Sequence, residues 1–391
     1  MDNSHQLFYK FVIAGSKIME ALHRSSLGET TEKSLRKWNL SDMADLVGRT
    51  PHTIVKNIKS GNLKKPHASS NIQKIYSIDD INEARELFNT KPSKPNGSSA
   101  QIIAFTNFKG GVAKTTSAVH ASHYFAKAGY KVLLIDTDSQ ASATSSFGFS
   151  PDHHFSPEET LLPIFTESNI EIKNLIKKTY WGTLDLIPAN LSLYKAELEI
   201  PIIGESYRQK GIPFNLHNIL LEKINTIRNQ YDIIIIDCPP SMSILNTNAL
   251  FAADGLIIPC PPELPDVASM FQFFEMIQDA LKRYPEKEYS FAKVLMTKVD
   301  GSNTSSLVTK ALRSVFGNHI LRSEMLNTQV IKRARTEMQS VYEIDSYKGS
   351  KKTLERAIQI VDSVNKEIET LIKDSWLSSP QIDTNLIEEV I

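Results

Sequence analysis

The chain has 391 residues, 44 Lys+Arg against 44 Asp+Glu, 41% hydrophobic residues and two cysteines. At roughly 100–200 residues per domain, this length predicts two or three domains and a large core. Cys238 and Cys260 alone exclude a disulfide framework or a cysteine-held cluster. No apolar run approaches the roughly 18 residues of a membrane span, and the opening MDNSHQLFYK is no signal segment, so a cytoplasmic protein is expected.

The zero net charge hides an asymmetry. Residues 1–100 hold 15 Lys+Arg and 10 Asp+Glu, a balance of +5. Between Lys33 and Lys65, eight basic residues face only Asp42 and Asp45. Such a patch either collects phosphates or is a solvated face. Residues 6–23, QLFYKFVIAGSKIMEALH, place Leu7, Phe11, Ile18 and Leu22 near helical spacing. That apolar face packs on its own domain or on a second copy.

In WNLSDMADLVGRTPHTIVKNIKSGNL, Ser41 or Asp42 is expected to cap a short helix, and Gly48 to make a turn. Thr50 then caps a second helix with Pro51 at its first position. Ile54, Val55 and Ile58 form its inner face, and His52, Lys56, Asn57 and Lys59 point outward. This is the helix-turn-helix pattern, although a short helical hairpin reads similarly. Thr50, His52, Thr53, Lys56 and Lys59 are its candidate DNA-contacting residues. IYSIDDINEARELF predicts a strand leading into a helix capped by Asp79 or Asp80, and NTKPSKPNGSSA reads as a linker. The expected organisation is an N-terminal helix and dimerisation candidate at 1–30, a DNA-reading unit at 31–88, a linker at 89–100 and a nucleotide-binding domain at 101–391.

The strand run IIAFT at 102–106 is followed by NFKGGVAKTTS and a helix closed by Gly129. Strand, glycine loop and helix is the context of a phosphate loop. Phe108 and Ala113 stand where G-x-x-x-x-G-K-[ST] wants glycines, leaving K-G-G-x-x-K-T. Gly110 and Gly111 let backbone N–H groups turn toward phosphate oxygens. Lys114 suits the β/γ-phosphates, and the Thr115 hydroxyl suits Mg²⁺. The nucleotide-cradling set is Lys109, Gly110, Gly111, Val112, Ala113, Lys114, Thr115 and Thr116. If Ala113 needs positive φ, alanine costs ~1 kcal/mol there.

KVLLIDTDSQASAT places Asp136 and Asp138 at the end of a buried strand, where open α/β sheets bind ligands. YDIIIIDCPP ends a second such strand on Asp237, which is suited to holding Mg²⁺. AKVLMTKVD at 292–300 is a further strand. Lys332, Arg333 and Arg335 fall within four residues, and a final helix from about Lys351 to Leu377 leads into an acidic tail.

The K-G-G-x-x-K-T loop, the D-T-D-S-Q segment and the D-C-P-P strand end resemble the ParA/MinD-type deviant Walker ATPases. PPELPDVASMFQFFEMI and the N-terminal unit resemble the plasmid partition ATPases of the SopA, type Ia kind. The resemblance implies an α/β fold, a mostly parallel P-loop sheet flanked by helices, with an N-terminal winged helix-turn-helix domain. It implies ATP hydrolysis to ADP and phosphate with Mg²⁺, slow without partner protein and DNA. Lys109 would act across a homodimer, Asp138 would position water, and Asp136 would support the magnesium site held by Thr115 and Asp237. Thr297 would lie near the adenine, and Lys332, Arg333 and Arg335 would hold non-specific double-stranded DNA. A ParB-type centromere-binding partner would stimulate hydrolysis and release a nucleoid-associated dimer. The ADP form would repress its own operon through operator DNA. The acidic tail lacks the basic amphipathic character of membrane-targeted relatives, so no membrane partner is expected. Alternatives are a nucleotide-sensing repressor without a partition role, and a redox ATPase of the nitrogenase-reductase kind, for which the cluster cysteines are missing.

Overall fold

The computed structural model describes residues 33–378 except 66, 69–73, 168, 346 and 348, together with scattered residues between 4 and 18. The latter are helical, and Phe8, Phe11, Ile13 and Ile18 among them are exposed. Leu7, Leu22 and the acidic tail lie outside the described residues.

In the N-terminal unit, helix α1 (Leu40–Val47) is capped by Asn39, whose side chain accepts the Asp42 N–H at 2.9 Å. The expected cap at Ser41 or Asp42 falls inside the helix. The reason is Trp38, held extended by paired backbone bonds to Tyr76, so the first residue free to cap is Asn39. Gly48 turns the chain at φ +70°, and Thr50 caps α2 (Pro51–Lys59) as the sequence predicts. A two-stranded antiparallel pair follows, β1 (His67–Ala68) and β2 (Lys74–Ile75). Helix α3 (Ile78–Leu87) is capped by Ser77 rather than Asp79 or Asp80, with Asp80 reaching back to the Ser77 N–H at 2.7 Å. Trp38, Met43, Val47, Ile54, Tyr76 and Ile81 form this unit's core. The linker is tied down from Lys94, whose N–H donates to Asp232, to Ser99, whose carbonyl accepts the Trp376 indole N–H. Arg85 of α3 bridges the units by donating to the Lys127 carbonyl at 2.7 Å.

Among the described residues, eight strands form one sheet in the order β10-β9-β8-β3-β7-β4-β6-β5. They are β3 (Gln101–Phe105), β4 (Val132–Asp136), β5 (Lys177–Lys178), β6 (Leu184–Ile187), β7 (Ile233–Asp237), β8 (Gly255–Cys260), β9 (Phe291–Val299) and β10 (Met325–Leu326). All pair in parallel except β5 against β6. Strands β3, β4 and β7 are buried along their whole length, which explains why they read as unbroken apolar runs rather than alternating ones. Cys238 and Cys260 are buried in the same core.

Helix α4 (Lys114–Ala128) and the final helices α10 (Gln329–Thr336) and α11 (Lys351–Ser378) cover one face. Helices α6 (Tyr194–Gln209), α7 (Ile244–Ala252), α8 (Leu264–Arg283) and α9 (Asn303–Phe316) contribute to the other. The chain runs from β3 to β4, then returns with β7 between them and β8 on the far side, so β3 lies where the strand order reverses. Open α/β sheets bind ligands beyond the carboxyl ends of strands at such a point.

Gly255 shows how tightly the central sheet is packed. It pairs directly with Phe291, and a Cβ there would lie 2.4–2.8 Å from the phenyl ring. Gly255→Ala should therefore cost about 1–3 kcal/mol in denaturant unfolding, as overpacking does. Adding Phe291→Leu should recover part of that loss. An undiminished midpoint for the single variant would contradict this packing.

Candidate functional site

The loop after β3 is built by neighbours as much as by its own glycines. Asn107 donates to the Pro259 carbonyl at 3.0 Å and accepts the Lys109 N–H at 3.1 Å, fastening the loop to β8. Gly111 adopts φ +78°, although a Cβ there would meet nothing, so its requirement is conformational. Ala113 holds φ +76° as well, a left-handed position that alanine occupies at a cost of about 1 kcal/mol. Val112 is buried, and its carbonyl accepts the Thr297 hydroxyl at 2.9 Å. Thr297 thus sits fully buried behind the loop. Lys114 opens α4 and donates to the Lys109 carbonyl at 2.9 Å. Burial lowers its pKa, while Asp237 and Asp138 draw it back up.

Asp136 and Asp237 are register partners at the ends of β4 and β7. Asp136 is committed within the fold: it accepts the Thr144 N–H at 2.8 Å, the Thr144 hydroxyl at 2.7 Å and the Asp138 N–H at 3.1 Å. Asp138 accepts the Gln140 N–H at 2.9 Å and borders the open cleft. Neither Asp237 oxygen makes a well-formed hydrogen bond, though the Thr115 hydroxyl favours its charged form. Burial pushes the Asp136 carboxyl up to about 7, against the bonds from Thr144. Burial, reinforced by the Asp136 charge, pushes Asp237 well above the usual carboxylate range. An uncommitted buried carboxylate with a hydroxyl beside it and two further carboxylates nearby fits a divalent cation, which would relieve the repulsion.

The cleft encloses about 410 Å³. It is lined by Gly111, Ala113, Lys114, Thr115 and Thr116, by Asp138, Gln140, Ser142 and Ser145 of α5 (Ser142–Ser145) and Ser146, and by Arg335, Met338 and Gln339. Lys109 reaches the other way, to Asp266 in the first turn of α8, at 3.1 Å. The three late basic residues do not share one role in the structure. Lys332 is exposed, Arg333 pairs with Glu337 at 2.7 Å, and Arg335 lies on the cleft wall. On α2, Thr50, His52, Lys56 and Lys59 are exposed and Thr53 is half-buried.

Sequence reasoning missed Asn107, Asp266, His120 and His123. The two histidines lie on α4 and are fully buried. Their i,i+3 spacing in H-A-S-H was the available signal. His120 donates from Nδ1 to the Thr116 carbonyl at 2.7 Å and accepts the Val341 N–H on Nε2 at 3.2 Å, which fixes a neutral ring. Burial lowers its pKa to about 4.

The strain at Ala113 is directly testable. Ala113→Gly should raise unfolding stability by up to about 1 kcal/mol, net of glycine's extra freedom in the unfolded chain. A clear loss of stability in denaturant titration would contradict the left-handed assignment.

A family described as an AAA domain matches residues 100–288. Protein SopA of Escherichia coli (strain K12) is 32% identical over 379 residues, covering 93% of this chain and 96% of that one. The sporulation initiation inhibitor protein Soj of Bacillus subtilis (strain 168) is 31% identical over 225 residues, covering 57% of this chain and 83% of that one. A solved structure described as "Partition Protein" superposes with a TM-score of 0.64 at 20% identity, covering 92% of this chain and 98% of that one. Likeness to SopA extends through nearly the whole of both chains and includes the segment that builds the Lys109–Thr116 loop. The chain therefore belongs to the ParA/MinD-type deviant Walker ATPases, among the plasmid partition ATPases of the SopA kind.

Proposed function

We propose that ATP binds in this cleft, drives formation of a dimer that holds DNA without sequence preference, and is hydrolysed slowly until a ParB-type partner and DNA accelerate the step. The observation that carries this reading is the uncommitted Asp237 beside Thr115 and Lys114, under a loop opened by Gly110 and Gly111. Thr115 and Asp237 would hold a magnesium ion, whose chemistry there is to neutralise phosphate charge, with Asp136 supporting the site from its fixed position. Asp138, on the cleft wall, would orient the attacking water. The N–H groups of the loop and the Lys114 ammonium would receive the phosphates.

Lys109 would supply positive charge to the nucleotide of the partner subunit. In this chain it is held by Asp266, so dimer formation requires it to exchange one anion for another. Exposed His52, Lys56 and Lys59 on α2 favour operator binding by the N-terminal unit, read as a winged helix-turn-helix, with the ADP form acting as repressor. A second reading, a nucleotide-sensing repressor without a partition role, rests on that same face. ATP turnover that rises with partner protein and DNA supports the first reading, and none at all supports the second. Among the described residues no helix is long and apolar enough to cross a membrane.

Two outcomes are expected. Asp266→Asn should let the ATP-dependent dimer form at up to about fivefold lower protein concentration, since a partly exposed ion pair is worth at most ~1 kcal/mol. Sedimentation showing a weaker dimer would instead put Asp266 in the dimer contact. DNA binding by the ATP form should fall by about 10³-fold between roughly 50 and 200 mM salt if about six phosphates are contacted. Lys332→Ala should reduce that slope and leave basal hydrolysis unchanged; an unaltered slope would make Lys332 a solvated side chain.

A further inference from the structure

Lys33 lies in the segment that leads into α1, yet its side chain is buried against the domain that carries the cleft. Its ammonium donates to the Ser146 carbonyl at 2.7 Å and to the Met338 carbonyl. Ser146 and Met338 both border the cleft, one on the segment after Asp138 and the other after α10. One cation from the N-terminal segment therefore joins the end of the segment after Asp138 to the loop after α10.

The fit is close. A Cβ on Gly148 would lie 2.9 Å from Lys33 Cγ, and Gly148 itself holds φ +87°. Met338 adopts φ +51°, an uncommon conformation for a long side chain, and its carbonyl is one of the two that Lys33 binds. The charge is balanced by Glu343, 3.2 Å away and buried. Glu343 also accepts the Ser340 N–H at 2.6 Å and the Tyr180 hydroxyl, and lies 3.3 Å from His123 Nδ1, which is itself 2.8 Å from Ser340 Oγ. His123 is on α4, the helix that the phosphate loop opens. A continuous buried network thus runs from α4 through Glu343 to Lys33, and reaches two segments that border the cleft.

We propose that Lys33 is a positioning residue for the nucleotide cleft and the point at which nucleotide occupancy is passed to the N-terminal unit. The proposal rests on the cleft being the nucleotide site. A nucleotide that changes the spacing of these two cleft-bordering segments changes the geometry offered to the ammonium, and a seated ammonium favours one spacing. By linkage the two effects are equal in free energy. Lys33 touches no phosphate position; it acts through Ser146 and Met338. Its occupancy decides whether the chain entering α1 is fastened to the cleft.

The test uses the full chain, a fluorescent ATP analogue to measure affinity, and limited trypsin digestion at Arg36 and Lys37, beside the fastened residue. In the wild type, nucleotide should change the cleavage rate at Arg36 and Lys37. Lys33→Met should weaken nucleotide binding by about fivefold or more, within the usual range of coupling between sites, and should make that cleavage indifferent to nucleotide. Lys33→Met leaves Glu343 with less compensation, so it also destabilises the fold. The double variant Lys33→Met/Glu343→Gln removes the stranded charge. It should regain stability while its nucleotide affinity stays low and its cleavage stays indifferent. If the double variant regains wild-type affinity, the network is only structural and the proposal is overturned. Wild-type affinity and nucleotide-sensitive cleavage in Lys33→Met overturn it as well. A well-folded wild type that binds no nucleotide would overturn the nucleotide-site reading itself, a result distinct from either.

Discussion

The buried carboxylate pair Asp136–Asp237 is the constraint around which the rest of the site is arranged. Parallel pairing of β4 with β7 puts the two residues side by side at the ends of strands buried on both faces. Like charges in that position are costly, and the fold treats its members differently. Asp136 is spent on the backbone and hydroxyl of Thr144, which shapes the segment carrying Asp138 and α5. Asp237 is left without such partners, facing Thr115 and Lys114. The asymmetry converts a repulsive pair into one structural carboxylate and one available for a cation. In the proposed function, the loop glycines, Lys114 and the α4 N-terminus would give phosphates a place beside that cation.

The same economy governs the lysines. Lys114 donates to its own loop at the Lys109 carbonyl, and the Lys109 side chain turns away to Asp266. Both cations are held by modest interactions that a more highly charged ligand can outcompete. Lys33 differs, because its ammonium is enclosed and paired with a buried carboxylate. It is a fixed joint rather than a waiting ligand, and it fastens the segment entering α1 to a cleft built from distant parts of the chain.

Much of this was legible in the sequence because it is local. The glycine loop between strand and helix, the aspartates ending apolar runs and the Thr50–Pro51 helix start each depend on neighbours within a few residues. Ala113 stands where the motif commonly has glycine, so the sequence makes its cost conditional on a positive φ, and the φ of +76° meets that condition. What was not legible depends on residues far apart. Asn39 rather than Ser41 or Asp42 caps α1 because Tyr76 holds Trp38 extended. Arg335 borders the cleft because Met338 and Gln339, which follow α10, turn back to line it, while Arg333 is taken up by Glu337. The Lys109–Asp266 pair and the Lys33–Glu343 pair span 157 and 310 positions and leave no periodic trace in the chain.

In the proposed function, nucleotide gates DNA binding through a dimer completed by Lys109. The most direct measurement is binding to random-sequence duplex DNA with ATP, with ADP and without nucleotide, for the wild type and Lys109→Gln. Strong binding by the wild type with ATP alone, lost in the variant, is the expected result. Binding that is indifferent to nucleotide, or unchanged in Lys109→Gln, would contradict it.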